Sequence, residues 1–189
     1  MRRDKLEAII AYLVKNSHGG FLARTKLVKL VFLADYEYYR TYGETMTGVG
    51  YTYCEEGPFD WSIPNTAQEM ADIQYKYYPP GLLHSYAEHR YTGIGTLHQS
   101  EKLSAEEEAI AHEVLREYGS YNAGRLVGLL HEDEFVKECG PGNPIDFHLL
   151  DRDPLDDQEV QDAIMSDASL YESMIRATRQ TRERFCSTR

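Results

Sequence analysis

The 189-residue chain contains no apolar run of about 18 residues, so no part of it reads as a membrane span. Cysteine is scarce: Cys54, Cys139 and Cys186 make an odd number without a C-x-x-C spacing, which argues against a disulfide scaffold or a zinc ribbon. Basic charge is also short. Twenty Lys and Arg stand against 31 Asp and Glu, a net charge of -11. That balance disfavours direct nucleic-acid binding, because phosphate contacts need a basic face. The nucleotide and hydrolase loops G-x-S-x-G, G-x-x-x-x-G-K-[ST] and G-x-G-x-x-G are missing. His131-Glu-Asp-Glu-Phe135 begins like the zincin motif H-E-x-x-H but ends on phenylalanine, so the second metal ligand is lost. The seven histidines show no other ligand spacing. No metal and no cofactor are expected.

What the chain does have is a dense segment from Thr25 to Trp61. Leu27, Leu30, Val31, Ala34, Tyr38 and Tyr42 form one helical stripe, and Val28, Phe32, Asp35 and Tyr39 form a second. A helix that is apolar on more than one face has neighbours on several sides, so a central buried helix is expected over about 24–42, ended by Gly43. Val49, Tyr51 and Tyr53 then alternate with Gly50, Thr52 and Cys54, the period of a short half-buried strand. Glu55, Glu56, Gly57 and Pro58 break that strand, and Phe59 and Trp61 follow in an acidic, aromatic loop.

The rest of the chain is organised around this segment. Arg3–Lys15 reads as an amphipathic first helix; its basic-then-apolar start resembles a leader, but Asp4 and Glu7 interrupt it, and a cytoplasmic protein is expected. Phe21 and Leu22 are expected to pack beside it. Ile63-Pro64-Asn65 starts a third helix that Ala67, Met70, Ala71 and Ile73 carry to Tyr77-Tyr78. Leu82–Tyr86 and Arg90–Ile94 read as a hairpin. Ser104-Ala-Glu-Glu107 is a capping box for a helix ending at Gly119. A shorter helix runs from Asn122 through Leu126, Val127 and Leu130, and Ile145–Phe147 reads as a strand. From Asp156 to Ala177 a helical pattern has carboxylates at its start and arginines at its end, both favourable to the helix dipole. The expected fold class is therefore mainly α (α+β): a compact helical domain around the central helix, a small antiparallel β-ribbon and a long C-terminal helix. Residues 1–150 form the domain and 151–189 an extension with an Arg-rich end.

The run Lys26-Leu-Val-Lys-Leu-Val-Phe-Leu-Ala-Asp35, with Tyr42-Gly43, Thr47-Gly48, Tyr51 and Gly57-Pro58, resembles the Panacea, or SocA-like antitoxin, domain. The resemblance continues at Leu103-Ser104-x-x-Glu107, Tyr118-Gly119, Ala123-x-x-Leu126 and Leu130-His131-Glu132, in order over roughly residues 5–140. One departure is Glu56, where an aromatic is usual before the glycine. The resemblance implies a phage-associated or bacterial antitoxin of a two-gene pair that neutralises a cognate toxin by direct protein contact. An adaptor that delivers the toxin to a protease is the alternative within the family. It implies no shared catalytic group.

The residues themselves leave two classes open. A binding module would use the strand and loop, with Tyr51, Tyr53, Glu55, Glu56, Pro58, Phe59 and Trp61 as partner-binding residues. Aromatics anchor interfaces, and carboxylates select a basic partner. The same aromatics could instead fill a half-buried sheet or fold back onto the central helix; among the fifteen tyrosines, Tyr38, Tyr42 and Tyr118 read as core. A small hydrolase would need Asp35 and His131 together as an oriented imidazole–carboxylate pair. Otherwise Asp35 is a buried carboxylate satisfied by tyrosine hydroxyls, a lysine or backbone groups, and His131 a hydrogen-bonded core histidine. The oligomeric state, monomer or homodimer, stays open.

Overall fold

The computed structural model describes residues 1–81 and 86–151, together with Arg176. The chain divides into two units, Met1–Leu150 and Asp151–Arg189. Of the second, Asp151 and Arg176 are described, so the helix expected from Asp156 to Ala177 and the Arg-rich end lie outside the described residues.

In the first unit the helices are α1 (Arg3–Lys15), α2 (Arg24–Tyr42), α3 (Ser62–Glu69), α4 (Ala105–Tyr118), α5 (Ala123–Glu132) and α6 (Glu134–Cys139). The strands are β1 (Phe21–Ala23), β2 (Thr52–Cys54), β3 (Gly57–Phe59), β4 (Ile73–Tyr78) and β5 (Glu88–Gly93), and short 3-10 turns cover His98–Lys102 and Phe147–Asp151. The fold is mainly helical, of the α+β kind, with two small antiparallel sheets in the orders β1-β5-β4 and β2-β3. No helix among the described residues is long and apolar enough to cross a membrane.

The central helix has the expected bounds, and its burial follows from its two stripes. Every residue from Leu27 to Asp35 is buried, two and a half turns with no solvent face. α1, α3, α4 and α5 all pack against it. Each fully buried Leu, Val or Phe here contributes roughly 1.5–3 kcal/mol, so this segment supplies much of the apolar stabilisation of the unit. The stripe thins toward the C-terminal end. Tyr38 is half-buried and Tyr42 is 47% exposed, so the expectation that both are core is corrected; Tyr118 is half-buried as well. The two rings of Tyr38 and Tyr42 lean on each other at 4.5 Å on the surface.

The region between 62 and 94 differs most from expectation. α3 ends at Glu69, because Met70 turns extended (ψ 123°), and Ile73–Tyr78 is a strand. Ala67, Met70 and Ile73 are spaced by three, which imitates a helix, but Ile-Gln-Tyr-Lys-Tyr-Tyr is a β-branched and aromatic run that favours a sheet. β5 has β4 as its hairpin partner, in register Tyr75↔Tyr91 and Tyr77↔His89, rather than the expected Leu82–Tyr86; residues 82–85 lie outside the described residues. On its other side β5 pairs with β1, so Phe21 and Leu22 belong to the sheet. Ile145–Phe147 is no strand either. Pro144 makes an isolated bridge to Thr52, the Ile145 N–H donates to the Tyr51 carbonyl, and Phe147 opens a 3-10 turn. Pro141 and Pro144 carry no backbone N–H, and the two glycines between Cys139 and Asn143 favour a turn, which leaves no longer ladder here. Phe135, tied to the helix from Asn122 only loosely by spacing, belongs to α6.

The capping box of α4 is present in full. Ser104 Oγ accepts from the Glu107 N–H, and the Glu107 carboxylate accepts from the Ser104 N–H at 2.7 Å. Glu107 is buried, and Lys5 of α1 also donates to it at 2.7 Å. The box therefore ties α4 to α1 as well as starting it. Ser104→Ala should cost about 1 kcal/mol, read as a lower denaturation midpoint with an unchanged slope.

Candidate functional site

α2 is the scaffold of the candidate site. Two lysines three residues apart, Lys26 and Lys29, sit on its N-terminal half, where an otherwise apolar helix brings them inward. Lys26 Nζ donates to the Gly119 carbonyl at 2.6 Å, a cation at the C-terminus of α4 where the helix dipole favours it. Lys29 is fully buried, and its Nζ donates to the Pro58 carbonyl of β3 at 2.8 Å. Burial pulls its pKa down from 10.5 to about 8, while the Glu56 carboxylate and Cys54 act against that fall. The residue that departs from the family pattern thus places a negative charge beside a buried ammonium. The sequence reading placed both lysines in the family run but gave neither a role. The available signal was their phase, i and i+3 within a helix segment that is buried all round.

Asp35 ends the buried stretch and organises the loop after α2. Its carboxylate accepts from the Thr47 N–H at 2.7 Å, from the Tyr51 hydroxyl at 2.8 Å and from the Thr47 hydroxyl. Burial nevertheless lifts its pKa from 3.8 to about 6, the donors of Thr47, Tyr51 and Met46 only partly offsetting that rise. Gly48 follows Thr47 with φ +65°, and a Cβ there would sit 3.3 Å from the Met1 Cα, so glycine is required both by conformation and by the passing N-terminal backbone.

β2 and β3 form a hairpin with Glu55 and Glu56 as its turn, in register Thr52↔Phe59, Tyr53↔Pro58 and Cys54↔Gly57. The expected loop is therefore a paired, rigid element, and Pro58 and Phe59 belong to a strand. Gly57 closes the turn at φ +82°. Three further ties hold it. Tyr53 exchanges backbone hydrogen bonds with Gly142 and Asn143. The Tyr53 hydroxyl meets His131 Nδ1 at 2.7 Å, and His131 Nε2 lies 2.8 Å from the Glu55 carbonyl. A carbonyl only accepts, so Nε2 carries the proton and His131 clips the turn to α5.

Asp35 and His131 therefore do not form a pair: each bonds to its own separate partners. The oriented imidazole–carboxylate that the hydrolase reading needs is not assembled, because the rings of Tyr51 and Tyr53 take up the two groups on successive inward positions of one extended segment. Among the described residues no three His, Cys, Asp or Glu side chains are grouped as metal ligands.

The seven residues expected at a partner surface separate by burial. Tyr51, Tyr53 and Pro58 are buried and support the hairpin from beneath, so they are corrected to a supporting position. Glu55 and Glu56 are exposed, Phe59 is half-buried, and Trp61 is 59% exposed. The rings of Phe59 and Trp61 meet edge to face at 5.0 Å, and the Arg24 guanidinium stands 5.6 Å from the Trp61 ring. Thr25 Oγ1 donates to Glu56 at 3.3 Å. One face thus presents an indole, two carboxylates and an arginine beside a hairpin that α2, α5 and the Gly142–Asn143 loop restrain.

A family model described as antitoxin SocA-like, Panacea domain, matches residues 27–135, more than half of the chain. The chain belongs to that family. No curated protein and no solved structure matches it. The structure gives physical reasons for the residues that carry the Panacea resemblance. Lys26 and Lys29 anchor α4 and the hairpin, Asp35 and Thr47 close the loop, Gly48 admits the N-terminal backbone, and His131 holds the turn. In this Panacea domain Lys29 and His131 hold the hairpin directly, while Lys26 and Asp35 fix the end of α4 and the loop after α2.

Proposed function

We propose that the protein is an antitoxin that neutralises its cognate toxin by direct contact through the β2–β3 hairpin and Trp61. The observation that carries this reading is an indole left 59% exposed beside an arginine, two residues after a hairpin fixed by a buried lysine and a histidine. Pre-organised aromatic anchors lose little entropy on binding, which is why tryptophan dominates interface hot spots. Glu55 and Glu56 extend the negative field of a chain with net charge -11, so the toxin surface that meets them is basic. Family membership supports the antitoxin role. The pre-organised anchor surface supports contact with the toxin, and we take blocking by that contact, with delivery to a protease as the alternative.

Co-expression with the cognate toxin tests the proposal. Trp61→Ala should weaken binding by about thirtyfold or more, a hot-spot loss of about 2 kcal/mol, and abolish growth rescue. Glu55→Lys together with Glu56→Lys should slow association and flatten its salt dependence. Circular dichroism checks folding, and Glu55→Lys alone is the control for charge, because Glu56 also accepts from Thr25 and acts on the buried Lys29 ammonium. Full rescue by both well-folded variants would remove the hairpin as the toxin-binding surface.

A further inference from the structure

A second surface lies at the other end of the central helix. α2 and α4 pack along each other and leave a groove of about 520 Å³ between Tyr42 and the outer face of α4. Its floor is Ala105, Ala109, Ile110 and the exposed Tyr42 ring. Its rim is Glu37, Glu106 and Glu113. Ala105, Ala109 and Glu113 follow one another at i, i+4 and i+8, so the open trough runs along α4 for about 12 Å, a little over two turns. Two alanines in its floor let a second backbone approach closely, and the half-buried Ile110 and the open side of the Tyr42 ring, which leans on Tyr38, offer apolar contacts.

The charge around the trough is negative. Arg40 stands 3.7 Å from Glu37, and Arg116 pairs with Glu113, which offsets two of the rim carboxylates. Glu106 has no cation beside it among the described residues, and Ser104 Oγ donates to it at 2.8 Å. Glu37 is held above the usual carboxylate range chiefly by burial, and Glu117, Asp133 and Glu113 push it further in the same direction against Arg40. An apolar trough two turns long with a negative rim is complementary to a helix that carries apolar anchors at i, i+3 or i+4 and i+7 between lysines or arginines.

We infer that the α2–α4 groove is a docking site for a basic amphipathic helix of a partner protein. It stands apart from the hairpin surface: Lys29, which holds the hairpin, and Tyr42, which walls the groove, are about 20 Å apart along α2 at 1.5 Å per residue. The inference does not depend on the toxin-binding role of Trp61.

The test uses the full chain and a labelled helical probe of about 18 residues, built from leucine and lysine at helical spacing, with a leucine–glutamate peptide of the same apolar pattern as control. Fluorescence anisotropy should show saturable binding of the lysine peptide, falling with added salt, and none of the glutamate peptide. Ala109→Arg, which fills the trough with a cation on an exposed, helix-tolerant position, should weaken binding at least tenfold. Glu113→Lys should weaken it as well, and Trp61→Ala should leave it unchanged. Sedimentation of the chain alone provides the second reading. The inference is overturned by absence of saturable binding, by equal binding of the glutamate peptide, or by binding that ignores Ala109→Arg. A dimer that Ala109→Arg converts to monomer would also overturn it, since the groove would then belong to a second copy of the chain.

Discussion

Asp35→Ala should lower the stability of the domain by about 4 kcal/mol, the range seen when one member of a buried, hydrogen-bonded charged group is removed. Two opposing effects set that figure. At neutral pH the buried carboxylate is itself costly, since a rise from 3.8 to about 6 corresponds to about 3 kcal/mol. Removing it relieves that cost. It also strands the Thr47 N–H and the hydroxyls of Thr47 and Tyr51, all buried, at roughly 1–3 kcal/mol each, and it opens a cavity beneath the loop. The stranded donors win. The same shift predicts a pH dependence. The folded pKa lies above the unfolded one, so the contribution of Asp35 is complete below about pH 4 and is lost as pH rises through about 6. The stability difference between wild type and Asp35→Asn should therefore fall by up to about 3 kcal/mol between pH 4 and pH 7, measured by urea denaturation at each pH. A well-folded Asp35→Ala variant of wild-type stability that no longer binds its partner would instead move Asp35 into the functional surface.

The central helix was legible because its signal is one-dimensional: two apolar stripes at helical spacing, with bounds that a glycine closes. The capping box was legible for the same reason, since its two partners are three residues apart. The β4–β5 pairing was not. Ile73–Tyr78 and Glu88–Gly93 are joined across a connection containing Pro79-Pro80-Gly81, and spacing by three at Ala67, Met70 and Ile73 concealed the change of period. At the candidate site, the acidic turn and Trp61 could be read directly as a surface. The inward side could not. Tyr51 and Tyr53 alternate with exposed neighbours, and alternation says which residues point inward only once the buried side of the strand is known. The ties from Lys29 to Pro58 and from His131 to Glu55 join residues 29 and 76 positions apart, and no local pattern encodes such a contact.

Lys29→Met should leave a folded domain whose stability rises less than that of wild type at alkaline pH. Lys29 is a buried cost of the same order as Asp35: a fall from 10.5 to about 8 corresponds to about 3 kcal/mol carried by the charged form. The folded pKa lies below the unfolded one, so the cost is complete below about pH 8 and disappears as pH approaches 10.5. Wild type should therefore gain stability between about pH 8 and pH 10, with Lys26, also lowered by burial, adding in the same direction. The Cys139 thiol, raised by burial, opposes this by itself, and above pH 10 the raised tyrosines Tyr51, Tyr91 and Tyr118 reverse the trend as their unfolded counterparts ionise. Those contributions are common to both proteins, so the difference between wild type and Lys29→Met isolates the lysine. At neutral pH methionine keeps the packing and removes the charge, but it leaves the Pro58 carbonyl without its donor, at roughly 1–3 kcal/mol. The two changes nearly cancel. Net stability should stay within about 2 kcal/mol of wild type, while the hairpin, having lost its tie to α2, holds Trp61 and the Glu55–Glu56 turn less firmly and the partner dissociates faster. Denaturation midpoints from pH 7 to pH 10, paired with dissociation rates, measure both halves. A loss of more than 3 kcal/mol at neutral pH would show that the buried ammonium stabilises the fold; an unchanged dissociation rate would show that the hairpin keeps its place without Lys29.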